Sequence, residues 1–148
     1  DTNTRRIVDA VRSGWLLVVP PGGTNVVDVR DVAAGLRAAM AKGETGRRYF
    51  LGSENLSWKA FTHTLAKAFD VEPPRYTMPP SLLTVGGAVA EAFATLTRTQ
   101  PFLTRSTART AARTYRYDNT RACRELRCTF RPFEETARHI ADALKREP

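Results

Sequence analysis

The sequence predicts a mostly helical α/β chain with a few short strands and about six to seven helices. Two observations carry this prediction. Apolar residues recur at intervals of three or four over several stretches, a spacing typical of amphipathic helices. Short runs of strand-forming residues lie between these stretches and are bounded by Gly or Pro. The chain has 148 residues, of which 42% are hydrophobic, so we expect a single segment folded around one core.

Helices are expected where the helical spacing follows a capping residue or a proline. In chain order, the predicted helices cover residues 2–13, 32–42, 58–69, 80–96, 104–114, 118–126 and 132–144. Asp31 and Ser57 are the expected N-caps of the second and third helices, Gly43 is expected to end the second, and Pro132 to open the last. The apolar faces of the third and last helices are the candidate core: Trp58, Phe61, Leu65, Ala68, Phe133, Ala137, Ile140 and Leu144.

Three runs of strand-forming residues are predicted to be strands: 15–19, 26–29 and 47–51. The first two are expected to pair as a hairpin whose turn contains Gly22 and Gly23. Four prolines between residues 70 and 80 exclude a helix or a central strand from that stretch.

Arginine dominates the positive charge of the chain. Lys and Arg number 23 against 15 Asp and Glu, which gives a net charge of +8. Four arginines, at positions 105, 109, 113 and 116, are predicted to form one face of a helix that could contact phosphates. Only Tyr115 and Tyr117 lie near enough in sequence to stack on bases. We therefore do not expect nucleic acid as a partner, although a basic nucleic-acid-binding helical domain stays as one alternative interpretation.

The sequence offers few residues for catalysis or metal binding. His63 and His139 lie on predicted amphipathic helices and are expected at the surface or its boundary. Cys123 and Cys128 lack the two-residue spacing of a zinc knuckle, and we expect them to be small core residues. The Gly-rich motifs that bind phosphates or dinucleotides are absent from the sequence. We therefore assign no catalytic, cofactor-binding or metal-binding residue.

Location is inferred from three further features. The sequence contains no run of 18 apolar residues, so we expect no membrane-spanning helix and no membrane partner. The first six residues lack the apolar stretch of a signal peptide. Two cysteines cannot form a disulfide framework. Together these features favour a reduced, cytoplasmic protein.

Four segments follow one another in an order known from one enzyme family. Residues 22–34 are similar to a strand-to-helix junction written hydrophobic-His-Val-x-Asp-Val-Ala, and residues 46–57 to the strand that follows it, which contains Tyr-x-Leu-Gly. Residues 73–104 are similar to a helix of a substrate domain. Residues 117–133 are similar to a closing segment written Asp-x-Ser-Lys-Ala-x-x-x-Leu-Gly-Tyr-x-Pro. The succession resembles the extended short-chain dehydrogenase/reductases (the NAD-dependent epimerase/dehydratase family), in the branch of dihydroflavonol reductases and 3β-hydroxysteroid dehydrogenases.

The resemblance implies that the chain is the C-terminal part of a Rossmann-type enzyme. Residues 25–69 would then supply the last strand and helix elements of the nucleotide-binding domain, and residues 73–148 a helical substrate-binding part. Enzymes of this family also carry a Gly-rich dinucleotide loop and a Tyr-x-x-x-Lys catalytic pair, and this sequence has neither. NAD or NADP is therefore expected in the full-length parent, none is expected bound to this chain, and the chain alone is expected to be inactive.

The resemblance also suggests where a substrate would bind. The residues expected to line a pocket are Asn25, Tyr76, Met78, Arg98 and Phe102. Sugar-nucleotide epimerases usually place an arginine shortly before the junction to hold a diphosphate, and the corresponding position near Thr24 has none. A ketone, an aldehyde or a hydroxysteroid-like molecule therefore suits the apolar segment better than a nucleotide sugar.

Partners follow from the same interpretation. Beside a small-molecule substrate, the missing N-terminal nucleotide-binding half is the first expected partner. Val26, Val29, Tyr49 and Leu51 are expected on strands whose neighbours would come from that half, so exposed edges would favour a homodimer or an exchange of segments between two copies. A catalytically empty module of the same ancestry, which binds a small ligand or a protein, is the second alternative.

Overall fold

The computed structural model describes residues 2–79, 81–82 and 105–146, and in this part the chain is mostly helical with a few short strands, as predicted. The helices are α1 Thr2–Arg12, α2 Val29–Lys42, α3 Trp58–Phe69, α4 Arg105–Ala112, α5 Thr120–Glu125 and α6 Phe133–Lys145. The strands are β1 Val18–Val19, β2 Gly23–Val26, β3 Glu54–Ser57 and β4 Tyr76–Thr77. Most of the helix predicted over 80–96 lies outside the described residues.

The core lies where α1, α3 and α6 meet. Leu65 of α3 and Ala137 of α6 are completely buried, and the rings of Phe61 and Phe133 stack with centroids 4.8 Å apart. Trp58 packs edge-on against Phe61 at 5.9 Å. All eight candidate core residues belong to this cluster, either buried or packed against it, so the helical periodicity predicted the core correctly.

Three of the four residues predicted to begin or end helices do so. The Ser57 hydroxyl accepts a hydrogen bond from the Ala60 amide at 3.1 Å, Gly43 ends α2, and Pro132 precedes the first residue of α6. The prediction for the start of α2 was wrong. Asp28, not Asp31, is the N-cap, and its carboxylate accepts the Arg30 amide at 2.8 Å. The helix therefore begins at Val29, and Asp31 lies in its first turn.

The strands pair differently from the prediction. β1 pairs in parallel with β4, with Val18 opposite Tyr76, and β2 pairs antiparallel with β3, with Asn25 opposite Asn55. The predicted hairpin between residues 15–19 and 26–29 is therefore wrong. Its second strand would have used residues that the Asp28 cap draws into α2, and the first strand instead bonds to a segment that follows it by more than fifty residues.

Gly22 and Gly23 allow a close approach of backbones instead of forming a turn. The Gly22 amide donates to the Ala111 carbonyl and the Gly23 amide to the Arg113 carbonyl, each at 3.1 Å. A Cβ on Gly22 would lie 2.2 Å from the Arg113 oxygen, and one on Gly23 would lie 2.5 Å from the Leu56 oxygen. No side chain fits at either position, so the turn interpretation was wrong.

The predicted strand 47–51 does not form in the described structure. Strands need a bonded neighbour, and none of the described strands lies alongside this stretch. Of the four residues expected on strand edges, Val29 is in α2, Tyr49 and Leu51 are in the irregular stretch, and only Val26 is in a strand. Leu51 packs against α2, where its Cδ2 would lie 2.7 Å from a Cβ on Gly35.

The basic helix is shorter than predicted. α4 ends at Ala112, so Arg113 and Arg116 lie beyond it and do not share a helical face with Arg109. The short helix α5 begins at Thr120, two residues later than predicted, and the Asp118 carboxylate accepts the Thr120 amide at 2.9 Å. Within residues 2–79, 81–82 and 105–146, every helix is too short or too polar to cross a lipid bilayer.

Candidate functional site

The five residues predicted to line a substrate pocket fall into three groups. Asn25 lies on β2, while Tyr76 lies on β4 and Met78 directly follows it, so these residues belong to two separate two-stranded sheets. Arg98 and Phe102 lie outside the described residues. No described contact joins Asn25 to Tyr76 or Met78.

Asn25 is held in a network of amide hydrogen bonds. Its Nδ2 donates to Oδ1 of Asn55, its partner across the β2–β3 ladder, at 3.1 Å. Asn55 in turn bonds both backbone groups of Tyr117, accepting from the amide and donating to the carbonyl, each at 2.9 Å. The ring of Tyr117 stacks on Phe50 with centroids 4.6 Å apart. The network therefore fixes the segment after α4 against the β2–β3 sheet.

Tyr76 and Met78 form an exposed edge beside β1. The Tyr76 amide donates to the Leu17 carbonyl at 3.1 Å, and the Met78 amide donates to the Val19 carbonyl at 2.9 Å. These bonds fix the backbone while the side chains of Tyr76 and Leu17 stay 65% and 61% exposed. The edge combines an apolar thioether, an aromatic face and one hydroxyl group, which suits a largely apolar ligand with a single polar anchor.

A buried carboxylate organises the start of α2. Asp28 is 3% exposed, and its carboxylate accepts hydrogen bonds from the side chain of Arg30, at 2.7 and 2.9 Å, and from the Thr136 hydroxyl at 2.9 Å. The Arg30 side chain is the main cause that holds the pKa of Asp28 far below its ordinary value, against the opposing effect of burial. Asp28 therefore stays ionised and ties α2 to α6.

Arg131 completes this cluster from the other end of the chain. Its amide donates to Oδ2 of Asp31 at 2.9 Å, and its Nη2 lies 3.2 Å from Oδ1 of the same residue. Its Nη1 lies 3.7 Å from Asp28, and its Nε lies 3.5 Å from Glu135. We call Asp28, Arg30, Asp31, Arg131 and Thr136 the charged junction. Sequence reasoning missed it because Asp31 and Arg131 are 100 residues apart.

The charged junction is a structural connection, not a catalytic group. Its carboxylates are neutralised by two arginines, and Asp28 is too acidic to exchange a proton near neutral pH. Asp31 begins the Asp-Val-Ala of the first motif, and Arg131 lies in the closing segment. The two motif segments quoted above are therefore joined through these side chains.

Two open depressions lie on the described surface away from the junction. One, of about 440 Å³, is lined by charged and polar side chains of α5 and Asp118. The other, of about 450 Å³, is lined by residues of α3 and of the proline-rich stretch after it, including His63. His63 Nε2 lies 3.1 Å from the Pro74 carbonyl, and His139 is exposed, so both histidines are at the surface or its boundary, as predicted. In the described part, no three His, Cys, Asp or Glu side chains cluster to hold a metal.

Sequence comparison shows which enzymes this chain is similar to. No family model matches the chain. One similar protein comes from Synechocystis sp. and has the inferred name dihydroflavonol 4-reductase. It is 33% identical to this chain over 127 residues. The match covers 82% of this chain and 36% of that protein. The chain is similar to members of the extended short-chain dehydrogenase/reductases. It is similar to the dihydroflavonol reductase branch of this family, which confirms the resemblance derived from the four motif segments.

Solved structures show the same fold for this chain. The crystal structure of gox2253 matches 97% of the chain with a TM-score of 0.75 at 25% identity. A nucleoside-diphosphate-sugar epimerase from Pseudomonas aeruginosa matches 95% with a TM-score of 0.67, and RMD from the same organism, crystallised with NADPH, matches 95% with a TM-score of 0.52. The chain spans 36% of the Synechocystis relative and 40–44% of these structures, so it corresponds to less than half of each.

Proposed function

We propose that the chain is the substrate-binding portion of an NAD(P)-dependent reductase or epimerase that acts on a carbonyl or hydroxyl group. The observation that carries the proposal is its 33% identity to the Synechocystis protein, together with the exposed edge formed by Tyr76 and Met78. Activity in this family requires a bound nicotinamide cofactor and a proton donor beside it. The chain would contribute substrate contacts to such a site.

The cofactor would be held by another part of a longer protein. The Gly-rich loop and the Tyr-x-x-x-Lys pair that would bind NAD or NADP and transfer the proton do not occur in this sequence. One structural neighbour was crystallised with NADPH, which supports NAD(P) as the cofactor of the parent protein. The residues present here do not fit a dinucleotide, and no step of the reaction is assigned to them.

The outer face of α2 supports docking of that other part. Val29, Leu36 and Met40 follow the spacing of one helical stripe and are 78%, 56% and 89% exposed. Three large apolar side chains in one exposed stripe are typical of a surface that another element covers. We propose that the nucleotide-binding portion packs on this stripe in the longer protein.

The substrate we propose is apolar with one reactive carbonyl or hydroxyl group. Tyr76 offers an exposed aromatic face and a hydroxyl, and the half-buried Met78 thioether lies two residues further along the same edge. The position near Thr24, where an arginine would hold a diphosphate, carries none. This supports a ketone, an aldehyde or a hydroxysteroid over a nucleotide sugar.

Ligand-observed NMR on the 148-residue chain tests the substrate class. We expect saturation transfer to a dihydroflavonol or a hydroxysteroid and none to a UDP-sugar. Met78→Ala should weaken binding about tenfold, because removing buried methylene and thioether contacts costs roughly 1–2 kcal/mol. Met40→Ala, which changes the other, exposed methionine, is the matched control and should leave the affinity unchanged. Equal loss in both variants, or preferential binding of the UDP-sugar, would contradict the proposal.

A further inference from the structure

The end of α5 folds Cys128 back over the helix turn that carries Cys123. Leu126 is the C-cap of the helix, and Arg127 adopts a left-handed conformation with φ of 56°. Cys128 then turns back over the helix, and its amide donates to the Ala122 carbonyl at 3.3 Å. This bond places Cys128 beside the turn of α5 that contains Cys123.

The environment of the two thiols agrees with this placement. Both cysteines are free and half-buried, so the prediction that they are core residues was wrong and both remain partly open to solvent. Burial raises the pKa of the Cys128 thiol, the neighbouring Cys123 raises it further, and Lys42 lowers it. The influence of Cys123 on Cys128 agrees with the backbone bond that brings the two residues to the same turn of α5.

We propose that Cys123 and Cys128 form a redox-sensitive pair that a small disulfide, such as glutathione disulfide, converts into an intramolecular disulfide. One cysteine thiolate attacks the glutathione disulfide and releases one glutathione thiolate, which leaves a mixed disulfide on the protein. The second cysteine thiolate then attacks the protein sulfur of that mixed disulfide and expels the second glutathione. The two cysteines are oxidised by two electrons, and glutathione disulfide is reduced to two thiols.

The disulfide would affect the charged junction through the segment that links Cys128 to Arg131. Closing a ring over residues 123–128 fixes Arg127 in its left-handed conformation and restrains the segment that follows. That segment carries Arg131, whose amide and guanidinium hold Asp31, and whose carbonyl accepts a hydrogen bond from Ser53 at 2.6 Å. Oxidation would therefore restrain the connection between α5 and the start of α2.

Mass spectrometry of the native chain after treatment with glutathione disulfide tests the proposal. The chain should lose two hydrogens and retain no glutathione, and peptide mapping should recover Cys123 joined to Cys128. The variants Cys123→Ser and Cys128→Ser are matched controls, because each should stop at the mixed disulfide and keep one glutathione. Oxidised wild-type chain should also unfold at a higher temperature than the reduced chain, whereas neither variant should show this shift.

Three results would overturn the proposal. One is a native chain that retains two glutathione groups, which would show that the thiols are held apart. Another is a native chain that stays reduced while the urea-unfolded chain forms the disulfide. The third is a disulfide between two copies, seen as a dimer on a non-reducing gel.

Discussion

Two helices of nearly equal length, α6 with 13 residues and α2 with 14, are held in the fold by different forces. α6 buries Phe133, Ala137 and Ala141 against α3. The buried residues of α2 are Asp31 and Gly35, while three of its large apolar side chains, Val29, Leu36 and Met40, are exposed. One helix is held by the hydrophobic core, and the other by ion pairs at its first turn and by the close approach of Leu51.

The contrast shows which part of the chain buries its apolar side chains without a partner. Apolar area buried in the α1–α3–α6 core contributes about 25 cal/mol per Å² and needs no further partner. The outer face of α2 leaves large apolar side chains exposed to water. Such a face is typical of a surface that contacts another protein element. The proposed function assigns that covering to the nucleotide-binding portion of a longer protein.

The largest effect is expected in the core. Leu65 is completely buried, so Leu65→Ala should lower the free energy of unfolding by about 2–5 kcal/mol through lost burial and the cavity that remains. Leu36→Ala makes the same change on the exposed face of α2 and should cost less than about 0.5 kcal/mol. Urea titration followed by circular dichroism measures both. Equal losses would show that the α1–α3–α6 core and the outer face of α2 do not differ in the way described.

The charged junction should make the next contribution. Asp28→Asn keeps a capping side chain but removes the charge that Arg30 binds, and it should lower stability at neutral pH by about 1–3 kcal/mol. The pKa of Asp28 is lowered on folding, so its contribution is present above the unfolded value of about 4 and is lost as the pH falls further.

The difference in stability between wild type and Asp28→Asn should therefore begin to shrink as the pH falls below about 4. Urea midpoints measured between neutral pH and about pH 3 test this prediction. Asp142→Asn, at an exposed carboxylate of α6, is the control and should run parallel to wild type throughout. A gap for Asp28→Asn that stays constant with pH would show that the charge of Asp28 does not stabilise the fold.

What the sequence could predict depended on how far apart the interacting residues are. Ser57, Gly43 and Pro132 act within one turn of their own helix, so their roles were readable from neighbouring residues. The partner of Asp31 lies 100 residues away, and a helix cap was the local interpretation of an acid before an apolar run.

The same limit applies to the strands and to the candidate site. β1 is two residues long and takes its partner from β4, so no hairpin motif could reveal the pairing. Gly22 and Gly23 are explained only by the backbone at residues 111–113 and 56 that approaches them. Tyr76 and Met78 lie on one exposed edge, whereas Asn25 lies on another sheet, and the sequence gives no distance between them.

A smaller, opposite effect is expected at Arg127. A non-glycine residue with φ of 56° is strained, and the related closing segment has glycine at this position. Arg127→Gly should raise the free energy of unfolding by about 1 kcal/mol. Arg124→Gly, three residues earlier inside α5, should lower it by about the same amount. A loss of stability in Arg127→Gly would show that the Arg127 side chain makes a compensating contribution.

The smallest effect on stability is expected from the exposed stripe of α2, where association is the informative readout. The double variant Leu36→Ser/Met40→Ser should change stability by less than about 0.5 kcal/mol. Light scattering should detect self-association of the wild-type chain at high concentration and less of it in the double variant. A wild-type chain that stays monomeric, or a variant that associates equally, would show that this stripe does not drive contact between copies.

The central claim is that this chain contributes substrate contacts to an NAD(P)-dependent enzyme and does not itself hold the cofactor. Calorimetric titration of the 148-residue chain with NADH and with NADPH tests it directly. The account predicts no saturable binding of either nucleotide at micromolar concentrations, because the backbone loop that would bind the pyrophosphate is absent from the sequence. Micromolar binding of either nucleotide would contradict it.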